Sequence, residues 1–129
     1  MKAVYVDSSI IVAILLNEPI GKKMRKRLAI QDEVLSSSLI EAEVLSVSSR
    51  EKVDLSLTYK ILDYVSLVSP ERTLREEYQS ILVHGYCRGA DLFHLACALY
   101  LDPEKELPFL TLDLKQKDLA RKVGLRVIE

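Results

Sequence analysis

At 129 residues the chain has the length of one domain, with enough material for a core of its own. Apolar residues make up 49% and charged residues 29%, which excludes a disordered chain, and the longest apolar run, Ile10 to Leu16, is too short to cross a bilayer. Eighteen Lys and Arg against nineteen Asp and Glu leave a net charge of −1, so bulk charge does not mark a nucleic-acid binder.

Ala3 to Val6 reads as a buried strand ended by Asp7-Ser8-Ser9, and an apolar helical stretch follows from Ile10 to Leu16. Asn17-Glu18-Pro19 breaks that helix, which restarts at a basic cluster of Lys22, Lys23, Arg25, Lys26 and Arg27. Such a cluster can hold phosphate, although a solvated helix face is the simpler reading. Glu33 to Ser36 is a second strand, after which Ser37 or Ser38 caps a helix to about Arg50. Asp54 caps the next helix, with Leu57, Ile61, Leu62 and Val65 at helical spacing and an end near Ser66.

Ser66 to Ser69 is a third strand stopped by Pro70, and Glu71 to roughly Tyr86 reads as helix. Gly85 and Gly89 bracket a loop before Asp91, which opens an almost wholly apolar helix to Leu101. Pro108 to Leu112 is a fourth strand ending at Asp113. A polar helix then runs to Val123, Gly124 stops it, and Leu125 to Ile128 is a last strand. This alternation predicts one α/β domain over residues 1–129, a sandwich with a mostly parallel central sheet of about five strands flanked by helices. Cys87 and Cys97 have no zinc-ligand spacing with His84 and His94, so both read as free thiols, Cys97 in a core helix. Met1-Lys2 leads straight into a strand without the layout of a secretory signal, which points to the cytoplasm.

Four acids fall at strand-to-helix junctions or just inside helices: Asp7, Glu43, Asp91 and Asp113. A parallel sheet gathers such positions along the carboxyl rim of its strands. Carboxylates brought together there resist ionising unless a cation joins them, and Mg²⁺ or Mn²⁺ suits oxygen ligands. Helix capping is the competing explanation for Asp7, Asp91 and Asp113. Glu43 lies nearer than Glu41 to the apolar stripe of Leu39, Ile40, Val44, Leu45 and Val47, where an unpaired carboxylate is costly. Its competing explanation is a salt bridge to Lys or Arg, and Glu41 remains the other candidate in that segment. His94 reads as a packed core histidine.

Taken in order, Val4-Tyr5-Val6-Asp7-Ser8-Ser9, Ser38-Leu39-Ile40-Glu41-Ala42-Glu43-Val44, Ala90-Asp91-Leu92-Phe93-His94-Leu95-Ala96 and Phe109-Leu110-Thr111-Leu112-Asp113 resemble the motifs of PIN-domain ribonucleases, in particular the VapC-type toxins. The resemblance implies that Asp7, Glu43, Asp91 and Asp113 bind metal and catalyse, with Ser9 and Thr111 as supporting hydroxyls. It also implies a central first strand, a homodimer, an RNA substrate, Mg²⁺ or Mn²⁺ as cofactor, and an antitoxin partner that blocks the site. Asp113 stands at the position that varies most in the family. A phosphatase with Asp7 as nucleophile would want a second Asp at position 9, where Ser9 stands. A receiver-like module would want paired acids before its first helix and a lysine ending a late strand. The non-enzymatic alternative is an RNA-binding or protein-interaction module whose acids only cap helices.

Overall fold

Successive side chains of a strand point to opposite faces of a sheet, and the first strand of this chain buries both faces. Val4 and Val6 enter one apolar cluster with Ile10, Ile11, Val34 and Leu110. Tyr5 enters another with Leu95, Ala96, Phe109 and Leu119, stacking on Phe109 with ring centroids 5.5 Å apart. The computed structural model, which describes residues Met1–Glu129, contains five strands and seven helices. These are β1 (Ala3–Val6), α1 (Ser8–Leu15), α2 (Pro19–Ala29), β2 (Glu33–Ser37), α3 (Leu39–Arg50), α4 (Leu55–Leu62) and β3 (Val65–Val68). There follow α5 (Arg75–Leu82), α6 (Gly89–Leu101), β4 (Pro108–Leu110), α7 (Leu114–Val123) and β5 (Arg126–Val127).

The sheet order is β3-β2-β1-β4-β5 and every pairing is parallel, which makes the expected mostly parallel sheet wholly so. Helices α1 to α4 cover one face and α5 to α7 the other. From β1 the chain moves outward through β2 and β3, then returns to lay β4 on the other side of β1. The reversal of direction opens a crevice outside the carboxyl ends of β1 and β4, where ligands of open parallel sheets bind. No helix is long and apolar enough to cross a membrane.

Several boundaries depart from the sequence expectation. Val65 is not a helical residue: α4 ends at Leu62, and Val65 opens β3 by pairing with Val34. Its spacing satisfies a helical period by coincidence, because a half-buried strand also starts on an apolar residue. The helix expected from Glu71 to Tyr86 is confined to Arg75–Leu82. Neither serine caps α3: Ser38 stands at the cap without a side-chain bond, and Ser37 lies in β2. Helix α6 starts at Gly89, two residues before Asp91. Gly124 does stop α7, with φ of 96° and its N–H bonded to the carbonyls of Ala120 and Arg121.

The α1–α2 hairpin hangs directly from the end of β1, and Gly21 sets how closely it closes. A Cβ at Gly21 would lie 2.2 Å from the carbonyl oxygen of Ala13. Backbone cannot yield as a flexible side chain would, so Gly21→Ala is expected to cost about 1–3 kcal/mol, as overpacking does. Urea unfolding read by circular dichroism checks this; an unchanged midpoint would contradict the close approach.

Candidate active site

Asp7 follows the last residue of β1 and is only 4% exposed. Its carboxylate has hydroxyl and amide donors as partners: the Ser9 backbone N–H at 3.1 Å, the Ser9 hydroxyl at 2.5 Å and the Thr111 hydroxyl at 2.5 Å. No lysine, arginine or histidine nitrogen pairs with it directly. Burial pushes the Asp7 carboxyl above its ordinary range, and the Ser9 and Thr111 bonds and the nearby His94 only partly oppose that.

Two strand ends are thereby fastened. The Ser9 hydroxyl accepts from Leu112 N–H at 2.9 Å and lies 3.3 Å from that of Thr111. The Thr111 hydroxyl, wholly buried, also accepts from Asp113 N–H at 3.1 Å. Asp7 caps α1, and Asp113 caps α7 by accepting from Gln116 N–H at 3.0 Å. The capping explanation is therefore real for both, and it does not stop either from facing a ligand with its remaining lone pairs.

Glu43 projects from α3, half-buried where Glu41 is exposed. Its partner is His94, not the lysine or arginine considered as the alternative: the imidazole Nε2 lies 2.6 Å from Oε1, and Ser8 donates to Oε2 at 3.3 Å. His94 is 1% exposed, and its Nδ1 lies 2.9 Å from the Tyr5 hydroxyl. The Tyr5 phenol is itself buried, and burial pushes it well above its usual range. The imidazole is thus held between the Tyr5 hydroxyl and the Glu43 carboxylate, and this contact orients Glu43. His94 is a core histidine as read from sequence, and it also holds a candidate site residue. The sequence signal for that second role, one helical turn from Asp91, is weak.

Asp91 lies in the first turn of α6, where the helix dipole favours an anion, and Arg88 occupies the cap position. Capping does not explain Asp91. Its carboxylate is 24% exposed and pairs with the Arg88 guanidinium at 3.5 Å. Buried Gln116 ties this helix to α7 by donating from Nε2 to the Asp91 carbonyl at 3.2 Å, while its Oε1 has no partner.

Asp91 and Asp113 line one open cavity of about 900 Å³, together with Tyr86, Arg88, Lys115 and Gln116. Asp7 and Glu43 do not line it, and they connect to it through short links. Thr111 bridges the Asp7 carboxylate to the Asp113 backbone, and His94 follows Asp91 by one turn of α6. Of the four acids, Asp91 and Asp113 thus line one cavity, while Asp7 and Glu43 lie outside its lining. No three acidic, histidine or cysteine side chains are drawn closely enough together to hold a metal ion as they stand. In chemistry the donor set does fit a hard divalent ion: carboxylate oxygens at a sheet rim, one of them buried with no cation in contact. Of the cysteines, Cys97 is buried, its thiol pushed up to about 12 by burial, while Cys87 is partly exposed and lines the same cavity, its thiol pushed up by burial and by Asp91.

A sequence profile of the PIN domain family matches residues 4–122. Among solved structures, the chain is similar to one from VapBC-1 of nontypeable Haemophilus influenzae, at 14% identity and a TM-score of 0.71, over 98% of this chain and 97% of that one. It is also similar to a chain of VapBC2 from Rickettsia felis, solved bound to a DNA fragment from their promoter. There the identity is 15%, the TM-score 0.69, and the coverage 98% of this chain and 97% of that one. At such identities the likeness is one of fold. No curated protein is matched by this sequence.

The raised Asp7 carboxyl has a consequence for stability. The folded protein holds that proton more tightly than the unfolded chain does, so ionising Asp7 costs stability. The cost is absent below the unfolded value near ~3.9 and grows as pH rises through the folded one. Asp7→Asn keeps the helix cap and cannot ionise. At pH 7.5 in chelator it is expected to melt higher than the parent, by about 2–8 °C for each kcal/mol relieved. The gain should vanish as pH falls toward about 4. Thermal melts at several pH values check this, and a variant less stable at pH 7.5 would contradict it.

Proposed function

This chain belongs to the PIN domain family, whose members are generally nucleases, and we propose that it is a metal-dependent endoribonuclease, the toxin of a toxin–antitoxin pair. The observation that carries the reading is Asp7: a buried carboxylate without a cationic partner, at the crevice where the strand order reverses. An anion kept in that position costs stability, and a site that binds a divalent cation explains why it is kept.

Asp7 and Asp91 would hold one or two Mg²⁺ or Mn²⁺ ions, with Glu43 and Asp113 completing the set directly or through water. When bound, such an ion supplies a water of lowered pKa and charge stabilisation for the leaving oxygen. The chain's own residues supply order. Ser9 and Thr111 fix the rotamer of Asp7, and their hydroxyls replace part of the solvation that burial removes. His94, itself held by Tyr5, fixes Glu43. Arg88, bonded to Asp91 across an exposed gap, is free to turn to a phosphate when a cation takes its place.

The capping-only alternative accounts for Asp7 and Asp113 but not for Glu43 and Asp91, since neither caps a helix. Incubation of the purified protein with total cellular RNA separates the two readings. Discrete fragments are expected with Mg²⁺ or Mn²⁺, and the rate should fall on the order of 100-fold or more in Asp7→Asn or Asp91→Asn. Cleavage that survives chelator or these substitutions, or no cleavage at all, would remove the nuclease.

An antitoxin partner and a homodimer belong to the same reading, as does the cytoplasm, where both thiols stay reduced. Support for a partner comes from an apolar groove of about 630 Å³ between α1, α2 and α4, lined by Ile11, Ile14, Leu28, Ile61 and Tyr64. Tyr64 is 84% exposed there, and Leu55, Leu57 and Tyr59 of α4 are also exposed. Co-expression with the product of a short reading frame adjacent to its own is expected to give a stable complex that Tyr64→Asp weakens. Size-exclusion chromatography of the pair reads the outcome, and a complex indifferent to Tyr64 would move the partner elsewhere.

A further inference from the structure

The mouth of the cavity that holds Asp91 and Asp113 has features which metal binding does not use. Tyr86 is 87% exposed and Leu114 is 77% exposed, and both line it. Lys115 lines it too and forms no ion pair, while Arg88 has only its exposed contact with Asp91. The cavity therefore carries acids at its floor, two cations at its mouth, and a phenol ring with a leucine side chain facing water beside them. An anionic polymer bearing flat rings meets all three chemistries. Its phosphates pair with the cations and a base lies on the ring, as in single-strand binding sites. Duplex RNA offers no free base face, because its bases are stacked and paired.

We propose that Tyr86, Leu114, Arg88 and Lys115 form a subsite for one unpaired nucleotide of the RNA substrate. The base stacks on Tyr86 against Leu114, and the flanking phosphates are held by Arg88 and Lys115, which presents the chain to the acids below. A volume of about 900 Å³ has room for such a unit. Arginine suits the phosphate because its planar fork makes paired hydrogen bonds, and the exposed pair with Asp91 is weak enough to exchange. The identity of the ligand as RNA rests on the nuclease reading; the stacking and phosphate contacts are properties of this cavity. These four residues are positioning residues.

The test is binding of a labelled single-stranded RNA oligonucleotide in chelator, read by fluorescence anisotropy. The chain has no tryptophan, so Tyr86→Trp makes residue 86 the sole indole. That variant is expected to keep the affinity of the parent, and its emission should be quenched when RNA binds. Tyr86→Ala should bind at least about fivefold more weakly at an unchanged melting temperature. Lys115→Ala should weaken every sequence alike and lower the salt dependence by about one counterion. Duplex RNA of the same sequence should bind less tightly and leave the indole unquenched.

Equal affinity of parent and Tyr86→Ala, with Tyr86→Trp emission indifferent to RNA, would overturn the subsite. So would tighter binding of a DNA strand of the same sequence. If the strand binds through Tyr86 but is never cut with Mg²⁺ or Mn²⁺, the subsite stands and the nuclease falls. Cutting with no dependence on Tyr86 does the reverse.

Discussion

A carboxylate taken out of water must be met by donors, by a cation or by a proton, and Asp7 at the end of the central strand meets this demand with donors alone. Two hydroxyls and one backbone N–H face it, from α1 and from the residue after β4. Because those donors come from both sides of the β1–β4 crevice, solvating Asp7 also fastens the crevice. The same burial raises its affinity for a proton, and in principle for a metal ion, since both relieve the same electrostatic strain. On the proposed reading, stability and chemistry are opposed at this residue, as is common at functional sites.

The other acids are arranged around that centre by hydrogen bonds that start in the core. Tyr5 stacks on Phe109 beneath the sheet rim and reaches up to His94, and His94 in turn reaches Glu43 on α3. The line runs from β1 through α6 to α3, so three elements share one buried polar network. On the other side Gln116 joins α7 to α6 beneath the cavity that Asp91 and Asp113 line. The carboxylates of Asp7, Glu43 and Asp113 are each oriented by hydrogen bonds, while that of Asp91 meets only the exposed Arg88. Thr111 links Asp7 to the backbone of Asp113, and the first turns of α6 carry both Asp91 and the His94 that holds Glu43.

Much of this was legible in the sequence because the signals were local. Short apolar runs gave the strands, Gly124 gave the end of α7, and the junction positions of Asp7 and Asp113 followed from the βα alternation. The helical face argument separated Glu43 from Glu41 correctly by burial. Where local signals overlap, the reading slipped: Val65 fits a helix and a strand equally well, and tertiary pairing with Val34 decides. Ser37 looked like a helix cap, but its hydroxyl instead lies 3.4 Å from His94 within the core.

Contacts across the chain were beyond such reading. Nothing in the sequence pairs His94 with Glu43, which are separated by fifty-one positions. The mouth of the cavity was also hidden, since Tyr86 lies on the loop before α6 and Lys115 in the first turn of α7, far apart in the chain and lining one cavity only in the fold.

The account depends on Asp7 being an anion that a divalent ion joins to the acids across the crevice. A crystal of this protein grown with Mn²⁺, with anomalous diffraction recorded at the manganese edge, measures that directly. The expected result is a manganese peak bonded to an Asp7 oxygen and shared with Asp91. A well-ordered site with no manganese at Asp7, or manganese bound only elsewhere, would contradict it.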